Sequence, residues 1–153
     1  MSAQTSQSTV NDFITQKSLA LVGVSRNPGK FGNVAYRALK IKGYRLYPVN
    51  RNVDTIEDAP CYPDLKSLPE KVDGVLIVVP AKETEQVVKQ ADALGIKRVW
   101  MQQGSESESA IRFCHEHGIQ EVHGECILMF AKPVQSYHKF HRFLMRLFGK
   151  LPR

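Results

Sequence analysis

Apolar runs and polar breaks along the chain alternate between two periods, one of strands and one of helices. Leu19-Ala20-Leu21-Val22 has the length and type of a buried strand. It breaks into a turn carrying Gly23, Ser25, Arg26, Asn27, Pro28, Gly29, Lys30 and Gly32. A helical pattern follows, with Val34, Ala35, Ala38, Leu39 and Ile41 on one side and Gly43 as its C-cap. Tyr44 to Val49 reads as a second strand. Val72 to Val79, the most apolar segment, reads as a third and stops at Pro80. Thr84 to Leu94 is a helix with Val87, Val88, Ala91 and Leu94 on one face and Gly95 as its stop. Lys97 to Met101 is a fourth strand. Ser105 with Glu108 predicts a capping box for the next helix, whose core side carries Ala110, Ile111 and Cys114. A fifth short strand, Gln120 to His123, leads to Gly124-Glu125-Cys126.

Three other stretches complete the pattern. Met1 to Ser8 reads as a polar tail, and Thr9 as the cap of a short helix anchored by Phe13 and Ile14. Residues 52–69 read as irregular, punctuated by Pro60, Pro63 and Pro69, with one helical turn at Asp64 to Leu68. From Pro133 onward, Tyr137, Phe140, Phe143, Leu144, Leu147 and Phe148 recur at helical spacing with Lys and Arg opposite. The division is thus a main domain over 1–132 and a basic amphipathic helix over 133–153 that extends it.

Strands alternating with helices through short connections predict an α/β fold: a doubly wound parallel sheet of about five strands. Ligands in such sheets bind beyond the carboxyl ends of the strands, where strand order reverses. Gly23 to Lys30, Asn50-Arg51, Pro80-Ala81, Gln102-Gln103 and Cys126 all fall on that edge. A strand, a glycine-rich loop and a helix start make an anion site, because the first helical N–H groups lack internal partners. Gly23 is expected to allow the turn, and Gly29 and Gly32 to bring the backbone close to a ligand. Ser25, Arg26 and Lys30 add donors and charge for phosphate oxygens. The glycine spacing fits neither G-x-G-x-x-G nor the P-loop. At the end of the second strand, where an NAD site carries an acid, stand Asn50 and Arg51. They suit a phosphorylated ribose or an adenine edge.

The formal charge of +6 over 153 residues favours acidic partners. Lys139, Arg142, Arg146, Lys150 and Arg153 supply much of it, so it speaks partly for the tail and less for the main site. Cys61, Cys114 and Cys126 are odd in number and far apart, which fits a reducing compartment. No apolar run approaches the roughly 20 residues of a membrane span. A cytoplasmic protein is the expectation.

Gly23-Val24-Ser25-Arg26 with Lys30-Phe31-Gly32, Gly43-Tyr44, Tyr47-Pro48-Val49-Asn50, Asp73, Val79-Pro80-Ala81, Ala93-Leu94-Gly95-Ile96, Trp100 with Gln103-Gly104, and Cys126-Ile127 occur in this order over roughly residues 10–130. Together they resemble the CoA-binding domain family, small proteins akin to the N-terminal domain of the succinyl-CoA synthetase alpha subunit. The resemblance implies a Rossmann-like fold that binds coenzyme A or an acyl-CoA. It implies that Gly23, Ser25, Arg26 and Lys30 hold phosphates and that Asn50 and Arg51 sit by the adenosine end. Pro80, Ala81, Gln102 and Gln103 would line the path of the cofactor. Family members often carry Pro-Lys after the Val-Asn pair, where this chain has Arg51-Asn52. The synthetase also uses a phosphorylated histidine from a second domain, so ligase activity is not expected here. The implied function is non-catalytic binding, as a sensor or regulatory module.

Cys126 is a candidate for reversible disulfide exchange with the CoA thiol. Cys114, His115, His117, His123 and Cys126 are of metal-ligating types, but His115 and His117 diverge on a helix, so no metal is expected. Two other functions compete: an NADP-linked oxidoreductase or regulator with Arg51 on the 2′-phosphate, and nucleic-acid binding through the basic tail. The tail's apolar stripe is also what a helix packed on its own domain or on a second copy would show.

Overall fold

The computed structural model describes residues 5–131. Five strands form one parallel sheet: β1 (Ser18–Val22), β2 (Arg45–Val49), β5 (Gly74–Ile77), β6 (Arg98–Gln102) and β7 (Gln120–Glu125), in the order β2-β1-β5-β6-β7. Each strand shows alternate side chains to opposite faces, and the two cores follow from that period of two. Leu19, Leu21, Leu76, Trp100 and Val122 pack under α1 (Gln7–Ile14) and α2 (Phe31–Ile41). Ala20, Val75, Ile77, Val99 and Met101 pack under α3 (Ala81–Ala93) and α4 (Glu108–Glu116). Both faces are covered, so β5 is buried at all four positions and reads as a continuous apolar run. Trp100 has no exposed surface; removing about 200 Å² of indole from water is worth about 5 kcal/mol. The chain steps from β1 outward to β2, then returns to place β5 on the other side of β1. The switch point therefore lies between the carboxyl ends of β1 and β5.

The parallel architecture and the five strands stand as the pattern predicts. Several boundaries differ. The third predicted strand is shorter than Val72 to Val79, running over Gly74–Ile77, and just before it Asp73 is bonded to the start of β1. Its carboxylate accepts the Ser18 N–H at 3.1 Å and the Lys17 N–H at 3.3 Å. Those backbone donors, led by Ser18, hold its carboxyl below the usual carboxylate range. The next helix begins at Ala81 rather than Thr84, with Pro80 at its N-cap. The Ser105–Glu108 box does not form. The Thr84 hydroxyl donates to the Ser105 carbonyl at 2.5 Å and keeps Ser105 in the preceding turn, so Ser107 caps α4 instead. Likewise Ser6, not Thr9, caps α1, and its side chain accepts the Thr9 N–H.

The stretch read as irregular contains a miniature hairpin, β3 (Thr55–Ile56) and β4 (Ala59–Pro60). Its two turn residues, Glu57 and Asp58, have φ of 51° and 66°. That is the left-handed geometry of a two-residue hairpin loop, reached here without the Asn-Gly that announces it. The predicted C-terminal helix over 133–153 lies outside the described residues.

Candidate functional site

Ser25 to Gly32 is a loop held from within. The Ser25 Oγ accepts the Asn27 N–H at 2.8 Å, and the Asn27 Oδ1 accepts the Gly29 N–H at 2.9 Å. These are the local side-chain turns that Ser and Asn favour over helix. From the first turn of α2, the buried Asn33 grips the same loop: its Oδ1 accepts the Ser25 N–H and its Nδ2 donates to the Ser25 carbonyl. Arg37, one turn on, donates to the Pro28 carbonyl at 2.9 Å and pairs with Glu57 of the hairpin at 2.8 Å. Arg26 donates to the Asn52 carbonyl at 2.7 Å. Asn50 is tied on both atoms, its Nδ2 to the Val24 carbonyl at 2.6 Å and its Oδ1 to the Asn52 N–H at 2.7 Å.

The glycines act differently from one another. A Cβ on Gly23 would stand 2.3 Å from the Val78 carbonyl oxygen, and its φ of 126° excludes L side chains. A Cβ on Gly32 would stand 2.3 Å from the Gly23 carbonyl oxygen. Gly32 thus lets α2 settle onto the end of β1; the close approach is helix to strand, where a ligand contact was expected. At Gly29 an added Cβ meets only the Asn27 Oδ1, at 3.3 Å.

Val78 and Val79 form a ridge pressed against Gly23, with a cleft on each side. The first, of about 560 Å³, is lined by Gly23, Asn50, Arg51 and Asn52 from the β1 and β2 ends. Val79, Lys82, Glu83, Gln86 and Gln90 supply its α3 side. Its charges balance, Arg51 and Lys82 against Asp64 and Glu83. The Asp64 carboxylate is turned to the Ser67 N–H and hydroxyl, at 2.9 and 2.7 Å. The second cleft, of about 450 Å³, is lined by Phe31, Val78, Gln102, Gln103, Ser105, Gly124, Glu125, Cys126 and Met129. Both volumes lie in the range of roughly 300–1,000 Å³ usual for small-molecule sites.

Of the residues expected from sequence, Gly23, Asn50 and Arg51 line the first cleft and Gln102, Gln103 and Cys126 the second. Ser25, Arg26 and Lys30 belong to the loop above the α2 N-terminus, and Pro80 and Ala81 open α3. Neither of these two helices has a side-chain cap, whereas α1 and α4 are capped by serines. Both point their positive dipole ends at the rim. The sequence reading missed Asn33, Lys82, Gln86 and Gln90. The i, i+4 spacing of Lys82, Gln86 and Gln90 at the start of α3 is the signal that finds them.

The three thiols differ in access. Cys61 and Cys114 are buried, and burial pushes the Cys114 thiol up to about 12. Cys126 is partly exposed. Of the metal-ligating residue types in this region, His115 and His123 turn to the Glu121 carboxylate, at 3.2 and 2.7 Å, and His117 to Asp92 at 3.1 Å. Among the described residues no helix is long and apolar enough to cross a membrane.

A parallel sheet with uncapped helix starts and two clefts at its switch point defines an α/β domain of the nucleotide-cofactor-binding kind. The chain belongs to the CoA binding domain family, whose model matches residues 17–132. Over 91 residues it is 40% identical to an ADP-forming acetate–CoA ligase II of Archaeoglobus fulgidus, covering 58% of this chain and 13% of the ligase. Over 126 residues it is 26% identical to the alpha subunit of the corresponding Pyrococcus furiosus enzyme, covering 75% of this chain and 28% of the subunit. The chain thus spans less than a third of the length of each of these two relatives. Among solved structures, a conserved hypothetical protein of Pyrococcus furiosus matches with a TM-score of 0.70 and 43% identity. That match covers 72% of this chain and 96% of the other.

Proposed function

We propose that the chain binds coenzyme A or an acyl-CoA across the ridge between the two clefts, as a sensor or regulatory module without chemistry of its own. The observation that carries this reading is that two neighbouring clefts open at the strand ends, one lined by Gly23, Asn50, Arg51 and Lys82 and the other by Val78, Gln102, Gln103 and Cys126. Arg51 and Lys82 hold phosphate at the adenosine end. Ser25, whose hydroxyl proton remains to be donated, and the uncapped start of α2 hold the diphosphate, with Arg26 and Lys30 adding charge at the loop. Pro80 and Ala81 bring the start of α3 to the ridge. Gln102, Gln103 and Cys126 receive the pantetheine arm. Asn50 braces the loop and shapes the adenosine end without using a free donor.

Isothermal titration of the purified chain with CoA tests this, alongside NADP, ATP and duplex DNA. Saturable binding of CoA, with the other three at least tenfold weaker, is the expected outcome. Tighter binding of NADP, or DNA binding that falls steeply with salt, would replace this reading by one of its competitors.

A further inference from the structure

The second cleft contains two buried side chains with hydrogen-bond donors left over. Gln102 is 5% exposed and its Oε1 accepts the Ile127 N–H at 3.0 Å. That bond fixes the carboxamide, since only oxygen can meet an N–H, and turns the Nε2 amino group the other way. Among the described residues Nε2 has no protein acceptor, yet no buried side-chain polar atom there is unpaired. The amino group therefore opens onto the cleft that Gln102 lines. Ser105 is alike: it is 5% exposed, its carbonyl is taken by Thr84, its hydroxyl has no partner among the described residues, and it lines the same cleft. Two donors held at the end of β6 and its turn, facing apolar Phe31, Val78 and Met129, call for one neutral acceptor. A carboxylate would meet Glu125 on the same wall.

We infer that this cleft is a carbonyl-reading site for the acyl end of a short, uncharged acyl-CoA thioester, with Gln102 Nε2 and Ser105 Oγ donating to the thioester oxygen. The inference rests on the proposed CoA-binding reading and makes it specific: the acyl thioester, rather than the free thiol, is the preferred ligand. An unmet donor in a dry site costs affinity for any ligand lacking the acceptor, which is how buried polar groups discriminate.

The test is titration of wild type, Gln102→Glu and Ser105→Ala with CoA, acetyl-CoA, succinyl-CoA and S-ethyl-CoA, which keeps the chain length but lacks the carbonyl. Gln102→Glu keeps an oxygen for Ile127 and removes the donor. Wild type should prefer acetyl-CoA over CoA, S-ethyl-CoA and succinyl-CoA. Gln102→Glu should weaken acetyl-CoA about tenfold more than it weakens CoA, with Ser105→Ala acting in the same direction. Equal loss for CoA and acetyl-CoA would overturn the inference and assign the donors to a pantetheine amide. Equal wild-type affinity for acetyl-CoA and S-ethyl-CoA would overturn it as well. Failure of every CoA species to bind wild type would instead defeat the underlying reading.

Discussion

Asn33 meets both main-chain groups of Ser25, accepting its N–H at 2.8 Å and donating to its carbonyl at 2.7 Å. One buried carboxamide thereby takes the place of a strand neighbour and fixes the Ser25–Gly32 loop to the first turn of α2. Asn33→Ala leaves two backbone groups without partners and should cost about 2–3 kcal/mol. Asn33→Asp keeps the acceptor but sets a carboxylate against the Ser25 carbonyl, and should cost at least as much. Urea unfolding measures both, and CoA affinity should fall in parallel.

The three loop glycines should separate cleanly. Gly23→Ala and Gly32→Ala each force a Cβ to within 2.3 Å of a carbonyl oxygen, and each should cost more than about 2 kcal/mol. Gly29→Ala should stay within about 1 kcal/mol of wild type. Thermal unfolding checks the order; a strongly destabilised Gly29→Ala would contradict the geometry.

Arg51→Ala and Lys82→Ala remove the two cations that line the first cleft among the described residues. Each should weaken CoA about tenfold with little change in melting temperature. If Arg51 or Lys82 holds the 3′-phosphate, its loss should no longer weaken dephospho-CoA. Titration of the two ligands at fixed salt gives the answer.

Cys126 should be the one thiol that exchanges with CoA disulfide. Its thiolate attacks one sulfur, the old disulfide breaks, a protein–CoA disulfide forms and CoA thiolate leaves. Mass spectrometry should find one adduct on Cys126, reversed by dithiothreitol. Cys61 and Cys114 should stay unmodified in the folded chain, both buried and both with thiols raised by burial. An adduct on either, or none on Cys126, would refute the assignment.

Lys42 is 1% exposed, donates to the Ala131 carbonyl, and is pushed by burial from 10.5 down to about 8. Between those values the unfolded chain holds a proton the folded chain has released, so this group adds stability as pH rises from about 8 to 10.5. Cys114 and Tyr44 act oppositely: burial raises both to about 12, so the folded chain keeps protons the unfolded one loses. Comparing wild type with Lys42→Met cancels those two. The difference should shift in favour of wild type by roughly 3 kcal/mol across that interval. A pH-independent difference would show that Lys42 titrates normally.

The architecture was legible because it rests on periods. Runs such as Leu19 to Val22 and Val75 to Ile77 announce strands covered on both faces. What the sequence did not show was how polar residues spend their hydrogen bonds. Asn50 reads as a ligand contact until its two partners, Val24 and Asn52, are seen. Gly32 reads as room for a phosphate until the Gly23 carbonyl fills that room. Ser105 and Ser107 are both plausible caps, and a long-range bond from Thr84 decides between them. Net charge is equally silent on the site, since a sum over the chain says nothing of Asp64 and Glu83 standing beside Arg51 and Lys82.

Trp100 is the sole tryptophan of the chain, and its indole N–H donates to the Glu125 carbonyl at 3.1 Å, one residue before Cys126. The molecule therefore contains its own optical gauge. A ligand that shifts the wall of the second cleft must alter the polarity at that ring, and the emission of one fluorophore will register occupancy without a label.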